Sequence, residues 1–523
     1  MLLLVWVCFL LRGWFYASMF PLWEGYDEFA HFGVIRAIST KGLILVPRDQ
    51  AGPRDVEESL GLAPIPWEVR TWEVFRNSLP EETYWSLPPQ ERLARAAALR
   101  AMPPAWQRED SVNGISAYEA LQPPLYYWLM APVLSLMKNA GLLAQVMVLR
   151  WIGVFIGSFA VLLTFAICRA IDPNDTLALG CSAIVAVMPG FASNVARVSN
   201  EPLSILLFSL LIWIGLRVVR RGPNPGDAIA LGAVLGLGLL TKAYFLTAVP
   251  AVALLLLFQI RTGWLPALTT SATALAIAGW WYIRNAAITG APSGLAESVT
   301  LHNRGFVSVL ATIPRIPWVH AVDVILVSHI YFSGWSSLTV RSWMYRVFFA
   351  IIIVAAVGLI LRVRRPPVLW LLTIYAFFWA GQFYNVLLQY LTKGLAGSMG
   401  WYLYAVVSCE VVLCATAFGR FRARAAAIGT FLFGLLDLYG MHLLAIPYYT
   451  GIIVHRANGA PGVLHLREFQ AVGFGAIFGR LAENKVALLS QPVLVLLWIL
   501  YLAGTITPMI LMPIRAHQEK PIQ

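Results

Sequence analysis

The sequence predicts an all-α protein that crosses a membrane many times, and three observations lead there. Hydrophobic residues make up 59% of the 523 and charged residues only 12%, about half the charged share of a soluble domain. Apolar runs long enough to cross roughly 30 Å of hydrocarbon recur from end to end. The basic residues, in an excess that gives a net charge of +12, gather in short clusters between those runs. That is how topology signals are arranged, and it differs from the continuous basic stripe of a nucleic-acid binder, so no nucleic-acid partner is expected. All five cysteines, Cys8, Cys168, Cys181, Cys409 and Cys414, lie inside apolar runs and read as small buried hydrophobes, not as a disulfide framework.

Taken with their flanks, the apolar runs place spans near 2–20, 147–169, 176–195, 202–219, 227–241, 243–260, 265–283, 344–361, 367–391, 401–419, 424–446 and 490–512, about twelve within a range of 11 to 13. The first run has no basic leader, is interrupted by Arg12 and lacks a small-residue cleavage site, so a retained helix is expected, not a removed signal. With both termini in the cytoplasm, the inside connections carry Arg169, then Arg217, Arg220 and Arg221, then Arg261, then Arg362, Arg364 and Arg365, then Arg420, Arg422 and Arg424, then Arg515 and Lys520. This fits the positive-inside rule for a protein of the inner (cytoplasmic) membrane. The pair 227–241 and 243–260 is short for two crossings.

One membrane domain, 1–523, is expected, with outside connections at about 21–123, 284–343 and 447–489. The first holds 15 of the 26 acidic residues and keeps Trp67, Trp72, Phe75, Tyr84, Trp85 and Trp106, so it is expected to fold onto the membrane face with short interfacial helices. The stretch YEALQPPLYYWLMAPVLSLMKNAG, 118–141, has an apolar core too short for a comfortable span. It reads as a helix in the outer interface, with Tyr126, Tyr127 and Trp128 at headgroup level.

Chemistry concentrates where the first run ends. EGYDEFAHF, residues 24–32, crowds Glu24, Asp27, Glu28 and His31 together. On a helix Asp27 and His31 share a face one turn apart with Glu28 beside them. Acids at a helix start also cap it, so capping and function are both open. A carboxylate at the membrane boundary can take a proton from a hydroxyl or hold a divalent cation, and the sequence does not require a metal. Glu201, with Arg197 and Asn200 in ARVSNEPL, is a second acid on the same side, although Pro202 makes capping by Asn200 or Glu201 the stronger reading of that stretch alone. Lys242, Arg284 with Asn285, and Lys393 fall at outside helix ends, against the charge trend; they either snorkel to headgroups or clamp a phosphate. Glu410 and Asp437 lie within spans and need partners, and His442 is spaced to serve Asp437.

DEFAHF after the first span, QPPLYYWL closing the first large loop, NEPL opening a later span, LLTKAYFL, and WWYIRN followed by TGAP together resemble the integral-membrane GT-C glycosyltransferases. The likeness is to the bacterial protein O-mannosyltransferase and lipid A aminoarabinose transferase branches, over about residues 1–300. It implies a GT-C-type bundle that transfers a sugar, with inversion, from a polyprenyl-phosphate donor to a glycan, lipid or protein acceptor outside the cytoplasm. It also implies Asp27 as base with Glu28 and His31 beside it, and an acid at Glu201. Gln122 stands where the aminoarabinose branch has lysine, which argues against that substrate. Lys242, Arg284 and Lys393 are the cations expected to meet the leaving phosphate, and Gln122, Tyr126, Asn200 and Asn285 are the expected substrate contacts. A transporter or lipid or polysaccharide flippase is the alternative; the sequence shows no duplicated halves to favour it, and a non-catalytic relative would have little reason to keep the acids.

Overall fold

The computed structural model describes residues 1–75, 78–259, 263–302, 306–361 and 365–518. Arg261, Arg362, Arg364 and Lys520, expected in inside connections, lie outside the described residues. Helices dominate, as expected, and the sheet among the described residues is a two-residue parallel pair, Pro64–Ile65 with Leu79–Pro80. Eight helices are long and apolar enough to cross a membrane, or ten spans if two sharply bent pairs each count as one. Such helices satisfy their own backbone groups and mark an integral membrane protein.

The eight differ from the expected twelve for local reasons. The run near 176–195 is broken at Met188 into Asp175–Val187 and Pro189–Val195, bent by 61°, because Pro189 has no N–H to continue the helix. The runs near 227–241 and 243–260 form short apolar helices, and Leu265–Thr289 has 25 residues but is more polar than the eight. A second bent pair, Val309–Arg315 with Trp318–Ile330, falls inside the segment 284–343 read as a connection. Leu125–Leu136 has 12 residues, about 18 Å of helix, which is short of a crossing. Tyr126 and Tyr127 on it are buried, not at a headgroup surface, and only Trp128 is turned outward, stacking on Trp280.

Arg12, which interrupts the first apolar run, is fully buried. It pairs with Asp437 at 2.9 Å and bonds Thr505 at 3.0 Å, and it donates to the carbonyls of Ala186 and Val187. Those are carbonyls just before the break at Pro189, so the arginine satisfies groups that the bend leaves open. Tyr16 and Tyr501 complete the carboxylate's shell at 2.6 and 2.9 Å. The partner expected for Asp437 was His442. The imidazole instead bonds Leu438 O and the Trp498 indole, and the guanidinium, arriving from another helix, supplies the permanent charge that a buried carboxylate needs. Glu410 pairs with His329 at 2.9 Å.

Arg12→Met leaves Asp437 buried and uncompensated, and the expected cost is about 3–5 kcal/mol. The measurement is the melting temperature of the purified protein in detergent, and Arg12→Met/Asp437→Leu is expected to recover part of the loss.

Candidate active site

The chain leaves its first helix, α1 (Leu2–Met19), through Phe20–Tyr26 and enters α2 (Glu28–Lys41). One buried ion pair organises this corner. Arg150, on Leu142–Ile171, donates through Nε and Nη2 to both oxygens of Glu28 at 2.8 and 2.6 Å. Its other N–H groups go to the carbonyls of Ala17, Phe20 and Pro21 at 3.3, 3.0 and 2.7 Å. A guanidinium has five N–H donors, and this one uses all five. Glu28 also accepts from the Val198 amide at 2.9 Å. It is therefore committed to structure, and neither the free acid expected beside Asp27 nor a simple helix cap. Glu24 is committed too: it accepts from Ser336 N and Oγ at 3.0 and 2.7 Å, and burial pushes its pKa up to about 7.

Asp27 is different. It is half-buried, at the residue before α2, and its φ of +55° lies in the left-handed region. Aspartate visits that region more readily than most side chains, at a cost of about 1–2 kcal/mol. The turn is tight: a Cβ on Gly25 would lie 2.7 Å from Arg197 Cβ. Among the described residues the partner of the Asp27 carboxylate is Tyr118, whose hydroxyl donates to Oδ1. Burial raises the Asp27 pKa, while Tyr118 and the cations Lys242, Arg197 and Lys393 act to lower it. His31 does not bond the Asp27 side chain. Its Nδ1 meets the Tyr127 hydroxyl at 2.9 Å, and burial, with Lys242 and Arg197 nearby, depresses its pKa so that the ring is neutral.

Lys242 is a buried cation with fixed partners. Its ammonium donates to Asn200 Oδ1 at 2.9 Å and Glu201 Oε1 at 2.6 Å, and the Tyr244 hydroxyl donates to Glu201 Oε2 at 2.9 Å. Asn200 thus holds the lysine and does not cap its helix by side chain, and Glu201 has both oxygens engaged. Lys242 lines a cavity of about 590 Å³ together with Gln122, Tyr244, Gln382, Asn385 and Tyr402. Arg197 stands behind, its guanidinium 4.2 Å from the Tyr26 ring centre, which in turn stacks on Trp401.

The other expected cations sit elsewhere. Arg284 bonds Asn285 and, with Arg48, lines a second cavity of about 150 Å³. Gln122 lines both cavities. Lys393 is exposed and paired with Glu297 at 3.1 Å. Tyr126 is fully buried and lines neither cavity. Among the described residues no group of three or more His, Cys, Asp or Glu side chains is arranged to hold a metal ion. Sequence reasoning passed over Tyr118, Glu119 and Arg150. The first two stand four and three residues before QPPL, an acid beside an already suspect motif.

Residues 121–282 match the family described as dolichyl-phosphate-mannose-protein mannosyltransferase. The match covers about a third of the chain, takes in Gln122, Tyr126, Asn200, Glu201 and Lys242, and leaves Asp27 outside. No curated protein matches the chain. Among solved structures, ArnT from Cupriavidus metallidurans bound to undecaprenyl phosphate is similar at 13% identity, over 92% of this chain and 76% of that one, with a TM-score of 0.41. The Archaeoglobus fulgidus oligosaccharyltransferase in complex with Zn and sulfate is similar at 13% identity over 67% of this chain and 46% of that one, with a TM-score of 0.35.

The two neighbouring acids should separate on substitution. Glu28→Gln leaves Arg150 without its counter-charge, an expected cost of about 3–5 kcal/mol; Asp27→Asn should change stability by no more than about 1 kcal/mol. Thermal unfolding of the two purified variants checks this.

Proposed function

We propose that the chain is an integral-membrane glycosyltransferase of GT-C type, which moves a sugar from a polyprenyl-phosphate donor to a hydroxyl on a glycan, lipid or protein outside the cytoplasm. The observation that carries this reading is that Asp27, with one oxygen held by Tyr118 and no cation bonded to it among the described residues, stands within the charge influence of Lys242, an ammonium fixed by Asn200 and Glu201 at the wall of the 590 Å³ cavity. The match of residues 121–282 to the family described as dolichyl-phosphate-mannose-protein mannosyltransferase supports it.

A sugar on a lipid phosphate already has its leaving group, so the protein must supply a base, a counter-charge and a site poor in water. Asp27 takes the proton of the acceptor hydroxyl as the hydroxyl oxygen attacks the anomeric carbon. The bond from that carbon to the phosphate oxygen breaks with its electron pair on the phosphate, and the attack from the opposite face inverts the centre. Tyr118 fixes one Asp27 oxygen by donating to it, which leaves the other for the proton. Lys242 meets the charge that develops on the phosphate, with Arg197 adding positive potential, and Glu201, Asn200 and Tyr244 hold Lys242 in place. His31, neutral, positions Tyr127. Arg284, Asn285 and Arg48 serve the second cavity, which meets the first at Gln122 and gives the acceptor its own approach. Tyr126 supports the α2 corner, and Lys393 acts only at long range.

With purified protein and a radiolabelled polyprenyl-phosphate sugar, Asp27→Asn is expected to lose at least 100-fold in transfer while it melts like the wild type. Transfer at the wild-type rate would remove Asp27 as base. Orientation has its own test. A cysteine at Ala94 or Ala98, both exposed, should react with an impermeant maleimide added outside intact cells, and protection there would reverse the topology.

A further inference from the structure

Glu119 has no part in the reaction as described, yet it stands in the same place. It lies on the short turn Tyr118–Leu121 that ends at Gln122, next to the tyrosine that bonds Asp27. Its Oε2 is 3.7 Å from His31 Nδ1, its carbonyl accepts from the Tyr127 hydroxyl at 3.3 Å, and its side chain is 12% exposed. His31 Nδ1 is already engaged with Tyr127 at 2.9 Å, so the ring gives this carboxyl no counter-charge. The other groups that act on Glu119 or are acted on by it are Asp27, Tyr118, Tyr127, Tyr402, Gln122, Lys242 and Glu297. Lys242 is the one cation among them, and Glu201 holds it at 2.6 Å.

We propose that Glu119 is a positioning residue that carries a proton beside Asp27, and that loss of this proton adds a further negative charge to the Lys242 site and weakens binding of an anionic, phosphate-bearing donor. The proposal rests on the glycosyltransferase reading for the identity of the donor. Glu119 and Asp27 belong to one buried cluster: Tyr118, which bonds Asp27, is the chain neighbour of Glu119, and His31, one turn after Asp27, lies 3.7 Å from the Glu119 carboxyl. Carboxyls that share such a site do not both ionise freely. The Tyr118 hydroxyl donates to Asp27 and favours the charged form there; at Glu119 burial and then Asp27 outweigh Lys242 and the Gln122 hydrogen bond and push the pKa up to about 8, which puts the proton on Glu119. Below that pH Glu119 adds no charge to those of Asp27 and of the Glu201 carboxylate that holds Lys242, and above it adds one. A donor phosphodiester keeps a single charge throughout, so a change in its binding reports the protein.

The test measures the Kd of undecaprenyl phosphomannose on the full-length protein from pH 6.5 to 9, for the wild type and Glu119→Gln. Wild-type binding is expected to weaken about tenfold across pH 7–9; Glu119→Gln, permanently neutral, should bind as the wild type does at pH 7 and stay flat. Parallel curves for the two proteins overturn the proposal. Infrared difference spectra of the wild type provide a second readout: a protonated carboxyl band present at pH 7, lost by pH 9 and missing from Glu119→Gln is expected, and its absence at pH 7 overturns the assignment. If the probe binds at no pH, the donor reading fails and the infrared band still decides the proton on Glu119.

Discussion

The buried pair between Arg150 and Glu28 is the interaction on which the rest of the site depends. A charge taken out of water persists only if its partners are complete, and here both are: five donors of the guanidinium find acceptors, and the carboxylate receives Arg150 and the Val198 amide. In doing so the pair joins the C-terminal end of α1, the start of α2, the helix Leu142–Ile171 and the turn before Glu201. The chain must then make its bend between Phe20 and Glu28, and Asp27 falls at the point where the backbone passes into the left-handed region. Its carboxylate is left out of the pairing that consumes its neighbour.

One short stretch therefore holds four ionisable side chains in four different states. Glu24 ties the corner to Ser336, Glu28 neutralises Arg150, His31 is a neutral hydrogen-bond partner of Tyr127, and Asp27 keeps an oxygen available. Environment, not residue type, divides these roles. The same division recurs around Lys242, where Glu201, Asn200 and Tyr244 hold an ammonium in a fixed position at the wall of the cavity. A cation held before substrate arrives costs no reorganisation when charge develops on a phosphate.

Much of this was legible in the sequence. The apolar runs gave the helical class, and the crowding of acids after the first run marked the corner proposed as the site, with NEPL and LLTK marking residues that the fold brings together, Asn200 and Glu201 on Lys242. What the sequence hid was which acids are free, because their partners come from distant parts of the chain. Arg150 is far from Glu28 in sequence and sits inside an apolar run, and no spacing rule links them. Local rules also misled in specific ways. Helical spacing assigned His442 to Asp437, where Arg12 from the other end of the chain is the partner, and capping preference assigned Asn200 to its own helix, where it holds Lys242. Arg284 and Lys393 looked equivalent to Lys242 as charges at helix ends; only the packing separates them into a second cavity and an exposed ion pair.

Replacing Asp27 by cysteine and rebuilding the acid chemically tests most directly whether a carboxylate at this position is what the corner exists to present. Untreated Asp27→Cys should be inactive, treatment with iodoacetate should restore part of the transfer from a polyprenyl-phosphate sugar, and treatment with iodoacetamide, which adds the same length without the charge, should not. Full activity of the untreated variant, or equal recovery with both reagents, would contradict the account.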